Sequence, residues 1–105
     1  MNMTENRLAL HDELVELLGS NHVYFQPPEN IKIQYPAIVY FRDDIDNIKA
    51  DNLNYIRNIR YMVTIIDADP DSEFVEAMMN HFVHCNWARH YISDNLNHDV
   101  FTLYY

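Results

Sequence analysis

Val23-Tyr-Phe-Gln-Pro-Pro-Glu-Asn-Ile-Lys-Ile-Gln-Tyr-Pro36 runs directly into Ala37-Ile-Val-Tyr-Phe41. Proline cannot donate to a sheet ladder, so Pro27-Pro28 forces a turn after a short strand over Val23–Phe25, and Pro36 borders a second strand that continues to Arg42. Ile38 and Tyr40 share one face of that second strand and Val39 and Phe41 the other, so both faces are apolar. Large flat side chains therefore stand on both sides of the turn.

Working outward, Leu8, Leu14, Val15, Leu17 and Leu18 recur at helical spacing with acids between them, which predicts an amphipathic helix over 4–18. Thr4 suits its N-cap, and Gly19, the one glycine of the chain, suits a left-handed C-terminal cap. A chain with a single glycine has little use for tight primed hairpins, so Asn, Asp and Pro are expected to make its other turns. The segment 43–52 reads as a polar connection and a candidate functional loop, pinned by Ile45 and Ile48. A long alternating run over 53–66 is the clearest strand. Asp69, Pro70, Asp71 and Glu73 then announce a second helix, with Asp69 as cap, Pro70 in the first turn, and Phe74, Val75, Met78, Met79, Phe82 and Val83 as its apolar face. Residues 87–92 and 100–104 read as two more strands around a polar turn containing Asp94, Asn95, Asn97 and His98. The order is α-β-β-β-α-β-β. Consecutive strands without a crossover helix imply an α+β domain, a small antiparallel sheet with both helices packed on one face.

At 105 residues and 49% hydrophobic content, the chain is long and apolar enough for one core despite a net charge of −9. Its one cysteine, Cys85, forms no internal disulfide, so no oxidising compartment is required. The start of the chain lacks the basic-then-apolar order of a signal peptide, and no apolar run reaches membrane-spanning length, so a soluble protein made in the cytoplasm is expected. The bases Arg7, Lys32, Arg42, Lys49, Arg57, Arg60 and Arg89 never cluster, which argues against direct binding of nucleic acid.

Motifs for chemistry are sparse. His81 and Cys85 are four apart, near His84 and His90, but no second ligand pair accompanies them, and ordinary packing accounts for them better than a metal. Ser20, Ser72 and Ser93 lie in turn or cap contexts rather than beside a histidine base. One glycine cannot build a phosphate loop, so no nucleotide cofactor is expected. The reading is of a protein without enzymatic activity or cofactor. The eight tyrosines suit either a small core and the cover of its open face or an interface, and the two edges of an open sheet are natural sites for pairing between copies.

The blocks Leu17-Leu-Gly19, Val23-Tyr-Phe-Gln-Pro-Pro28, Tyr35-Pro-Ala-Ile-Val-Tyr40, Ala50-Asp-Asn52, Tyr61-Met-Val-Thr-Ile65, Asp67-Ala-Asp-Pro-Asp-Ser72 and Ser93-Asp-Asn-Leu-Asn-His98 occur in an order that spans nearly the whole chain. It resembles that of the tail-completion, or tail terminator, proteins of long-tailed bacteriophages and prophages. The resemblance implies a structural virion protein, a homo-oligomeric ring typically of six copies, that caps the tail tube at its head-proximal end, stops polymerisation and forms the head-tail joining surface. Its partners would be other copies, the tail tube protein and a head-tail connector protein. Genomic DNA would only pass through the lumen, and no membrane would be involved. Asp43, Asp44, Asp46 and Asp51 are then candidates for the lumen or the tube-facing rim, where acids repel passing phosphate. Two other readings of the same sequence are a connector component of the same region and an acidic DNA mimic that inhibits a host nucleic-acid-binding protein.

Overall fold

The computed structural model describes residues 2–50 and 54–105, with backbone alone over 46–50 and 54–57. Among the described residues, two helices and five strands follow the expected order: α1 (Met3–Leu18), β1 (Val23–Phe25), β2 (Ala37–Ala50), β3 (Asn54–Asp67), α2 (Glu73–His81), β4 (Cys85–Ser93) and β5 (Leu96–Tyr104). The strands form one sheet in the order β1-β2-β3-β5-β4. Three pairings are antiparallel and β1 lies parallel to β2, so the α+β sheet is mixed. The parallel pair follows from the proline segment, which is long enough to carry the chain back to the end of the sheet where β1 began. Gln26, at φ 44°, closes the β1 ladder by donating its N–H to the Tyr40 carbonyl at 2.9 Å.

Both helices pack on one face, as the sequence implied. Leu10, Leu14 and Leu18 of α1 and Met78 and Phe82 from α2 and its C-terminal cap meet Ile38, Tyr40, Tyr61, Val63, Ile65, Phe101 and Leu103 of the sheet. Each such side chain contributes on the order of 1.5–3 kcal/mol relative to full exposure. Tyr40 and Tyr61 are wholly buried, and each finds a polar partner for its hydroxyl. Tyr61 donates to Asn6 Oδ1 at 2.8 Å, and the Tyr40 oxygen lies 2.6 Å from His11 Nδ1.

Four expectations are corrected. Asn2, not Thr4, caps α1, its Oδ1 accepting from the Glu5 N–H at 2.8 Å. At the other end Gly19 takes the expected left-handed conformation at φ 76° and donates to Val15. Helix α2 is capped at Ser72 rather than Asp69, because the aspartates make turns of their own: the Asp69 N–H donates to Asp67 Oδ1 and the Asp71 N–H to Asp69 Oδ1. This shorter helix ends at His81, so Met79 and Val83 of the expected apolar face are exposed, Val83 to 90%. A tight primed turn does occur, built without glycine: Asp94 and Asn95 adopt φ 53° and 62° between β4 and β5.

The fourth correction concerns the candidate loop. Most of 43–52 is strand, since β2 continues to Ala50 in register with β3, pairing Ile45 with Ile59 and Ile48 with Ile56. Cross-strand apolar pairs override the poor strand propensity of Asp and Asn there. The ladder absorbs one extra residue, Asp43, as a bulge between Arg42 and Asp44, and β4 carries a matching bulge at Ala88, between Trp87 and Arg89. Among the described residues, no helix is long and apolar enough to cross a membrane.

Candidate functional site

Because a strand alternates its side chains, the pairing register assigns each residue to the helix-covered face or to the opposite, open one. On the open face the rows read Ala37-Ile66-His98-Tyr91, then Val39-Thr64-Val100-Arg89, then Phe41-Met62-Thr102-Asn86, then Asp44-Arg60-Tyr104. No helix of the described residues covers them. Phe41, Tyr91 and Tyr104 stay 40–43% exposed, while Ala37, Ile66 and Val100 of the same rows are buried. Tyr91 stacks on His98 with ring centroids 4.6 Å apart, and the Arg89 guanidinium lies 5.7 Å from the Tyr91 ring. Aromatics and arginine on an uncovered sheet face are the composition of an interface core.

A second feature grows from the lengths of β2 and β3. Strand β5 pairs with β3 only over Arg60–Asp67, so from Asp44 and Arg60 outward to Ala50 and Asn54 the β2–β3 hairpin runs as a two-stranded arm. At about 3.3 Å per residue the arm reaches roughly 20 Å past β5, and the molecule measures 51 × 26 × 22 Å. An isolated two-stranded ribbon is marginally stable in water, so an arm of this length is suited to lie against another surface.

The candidate acids divide along this arm. Asp43, the bulged residue, places Oδ2 2.7 Å from Arg60 Nε, with both side chains about a third exposed. The hydrogen bond from Arg60 to Tyr104, and then the ion pair with Asp43, raise the Arg60 pKa further. Asp44 is exposed, accepts a hydrogen bond from the Ile45 N–H at 2.9 Å, and lines a shallow groove with Asn58, His84 and Tyr104 at the root of the arm. Asp46 pairs in register with Asn58, but its side chain lies outside the described residues, as does Asp51 altogether. The sequence read this segment as a loop, where the structure has a two-stranded ribbon.

Strand β4, the sheet's outer edge, was not singled out at all. Every residue from Asn86 to Ser93 is exposed, including Trp87 at 49% and Ile92 at 69%. Its signal in the sequence is Trp87-Ala-Arg-His-Tyr-Ile92, where bulky or charged side chains stand on both faces of one strand, a pattern with no room in a helix-covered core. On the helix side of β4, Asp99 accepts hydrogen bonds from Trp87 Nε1 at 3.1 Å and His90 Nδ1 at 2.9 Å.

The histidines and the cysteine do not assemble. His81 donates to Glu13 Oε1 at 2.9 Å, and Cys85 begins β4 after α2 has ended. Among the described residues no three His, Cys, Asp or Glu side chains converge as a metal site would need. What the described residues do expose is an aromatic open face, a two-stranded arm and an edge strand. The chain matches no family model, no curated protein and no solved structure, so its reading rests on these surfaces and on the sequence blocks they contain.

Proposed function

We propose that this chain is a tail-completion protein of a long-tailed bacteriophage or prophage, a structural virion component that assembles as a ring, typically of six copies, on the head-proximal end of the tail tube. It ends tube polymerisation sterically and offers its far surface to a head-tail connector protein. The work is done by shape and association, with no bond made or broken and no cofactor. Assembly takes place in the host cytoplasm, and the tail is the final location.

The observation that carries this reading is the projecting two-stranded arm beside an aromatic sheet face that no described helix covers. A capping subunit needs one surface for its neighbours and another for the tube end, and a projecting ribbon supplies the second. The exposed carboxylate of Asp44, at the root of the arm, is the group that would repel passing phosphate. The sequence blocks that resemble the family, spread from Leu17 to His98, add to this support. A DNA mimic draws less support: it needs carboxylates in free, regular rows, whereas Asp43 is engaged by Arg60, and Asp67 and Asp69 are folded into turns.

The test is electron microscopy of particles from a phage lacking this gene. Tails of uncontrolled length, or tails of normal length that never join heads, are the expected result. Normal, infectious particles would sink the reading and bring the inhibitor forward.

A further inference from the structure

We propose that the free edge of β4 in one copy adds antiparallel to the free edge of β2 in the next, joining the subunits through one continuous sheet. This names the interface within the ring proposed above and rests on that reading.

Both edges are open. Among the described residues nothing pairs with the outer side of β4, and β1 covers β2 only as far as Tyr40. The unpaired stretch of β2, 41–50, is ten residues long and β4 nine, so the two edges are of comparable length. An open edge is a row of unsatisfied backbone donors and acceptors, and pairing two of them satisfies both.

Direction follows from topology. β2 and β5 point the same way, with β3 and β4 opposite, so a second copy laid alongside without inversion brings its β2 antiparallel to β4. Continuing the sheet also preserves its faces. In the register that sets Arg89 of one copy opposite Asp44 of the next, Tyr91 falls opposite Phe41 on the open face and Trp87 opposite Ile45 on the other. These four apolar residues are exposed: Phe41 43%, Ile45 37%, Tyr91 42% and Trp87 49%.

Charge selects the partner edge. Strand β4 carries Arg89 and no acid, whereas β2 beyond Tyr40 carries Asp43, Asp44 and Asp46 against Arg42 and Lys49. Arg42 is turned inward, its guanidinium 5.8 Å from the rings of both Phe25 and Tyr61. Pairing β4 with β4, or β2 with β2, would oppose like charges across a two-fold axis. Only the unlike pairing is complementary, and a head-to-tail contact of this kind builds rings when its rotation closes.

The experiment is sedimentation velocity over a concentration series on the purified chain and on Arg89→Glu, Asp44→Lys and the double variant, with thermal melts confirming that each folds. The wild type should form a closed oligomer, each single reversal should raise the concentration needed for assembly about tenfold or more, and the double variant should recover it. Phe41→Ser, at an exposed site opposite Tyr91, should weaken assembly without changing the melt and stands in for any reversal that fails to fold. A chain monomeric at every concentration, rings indifferent to both reversals, or a double variant no better than the singles would overturn edge pairing. Those outcomes leave the tail-capping reading to its own microscopy, and normal tails in the deletion would remove that reading while leaving an observed edge pairing intact.

Discussion

Tyr105 donates its hydroxyl hydrogen to Glu13 Oε2, across 92 positions of sequence, while His81 occupies the other carboxylate oxygen at 2.9 Å. One carboxylate thereby ties α1, α2 and the residue following β5. The Tyr105 N–H also donates to the Ile59 carbonyl at 3.1 Å, and Asn6 Nδ2 donates to the Tyr105 carbonyl at the same distance. The helical layer is thus locked to the sheet beside the root of the arm. Removing the hydroxyl, as in Tyr105→Phe, should lower stability by about 0.5–1.5 kcal/mol, read from the urea midpoint at constant slope.

Acid should weaken the fold in two stages. Burial, and then the Arg7 charge, hold His11 below its ordinary 6.5, so as pH falls past that value the unfolded chain takes up a proton before the folded one does and stability declines. Burial raises the Glu13 pKa, but the hydrogen bonds from Tyr105 and His81 outweigh it, so the folded value is lowered from 4.5. Its contribution is present above about pH 4.5 and lost as pH falls through the folded value. Urea midpoints of the wild type should drop between about pH 7 and 5.5 and again below 4.5. His11→Gln should flatten the first step and Glu13→Gln the second.

Asn95 holds φ 62° in the turn between β4 and β5, a conformation that asparagine tolerates and alanine resists. Asn95→Ala should cost about 1–2 kcal/mol, while Asn95→Gly should be neutral or slightly stabilising. Gly19→Ala should behave like Asn95→Ala, for although no atom lies within 4 Å of an added Cβ, φ is 76°. Calorimetric midpoints of the three variants would check the order.

The Cys85 thiol is pushed up to about 11 by burial from an ordinary 9.0. A two-unit rise leaves about a hundredfold less thiolate near pH 8. Disulfide-exchange reagents should therefore label the folded chain about a hundred times more slowly than the urea-unfolded one, and labelling at comparable rates would show that the residue is not shielded.

Asp43→Asn removes the partner of Arg60 at the bulge. Because both side chains are about a third exposed, salt already screens the pair, so the melting temperature should fall slightly at low ionic strength and match the wild type in about 1 M salt. A large loss that persists in salt would mean that the bulge itself depends on the aspartate.

Periodicity made most of the architecture legible. The alternation of 53–66 located β3 to within a residue, and the prolines after Phe25 delimited β1. What local signals missed, longer-range pairing decided. The run Asp43-Asp-Ile-Asp-Asn47 resembles a loop until β3 is placed beside it, when Ile45 and Ile48 find Ile59 and Ile56. The primed turn at Asp94-Asn95 was discounted for want of glycine, though asparagine and aspartate can occupy the same backbone region. The exposure of β4 could not be read from 85–93 alone, because position at an edge belongs to the sheet and not to the strand.

The extra residues Asp43 and Ala88 fall on the two strands that carry open edges. A bulge increases local twist and bends its strand, and fibrils grow by stacking straight, flat ribbons. Neither edge offers such a ribbon. Under the edge pairing proposed above, copies added along bent edges would accumulate curvature, so growth would turn back toward its starting point instead of extending in a line. Two interruptions of the ladder, one on each rim, thereby guard the chain against its own aggregation while leaving the rims open for use.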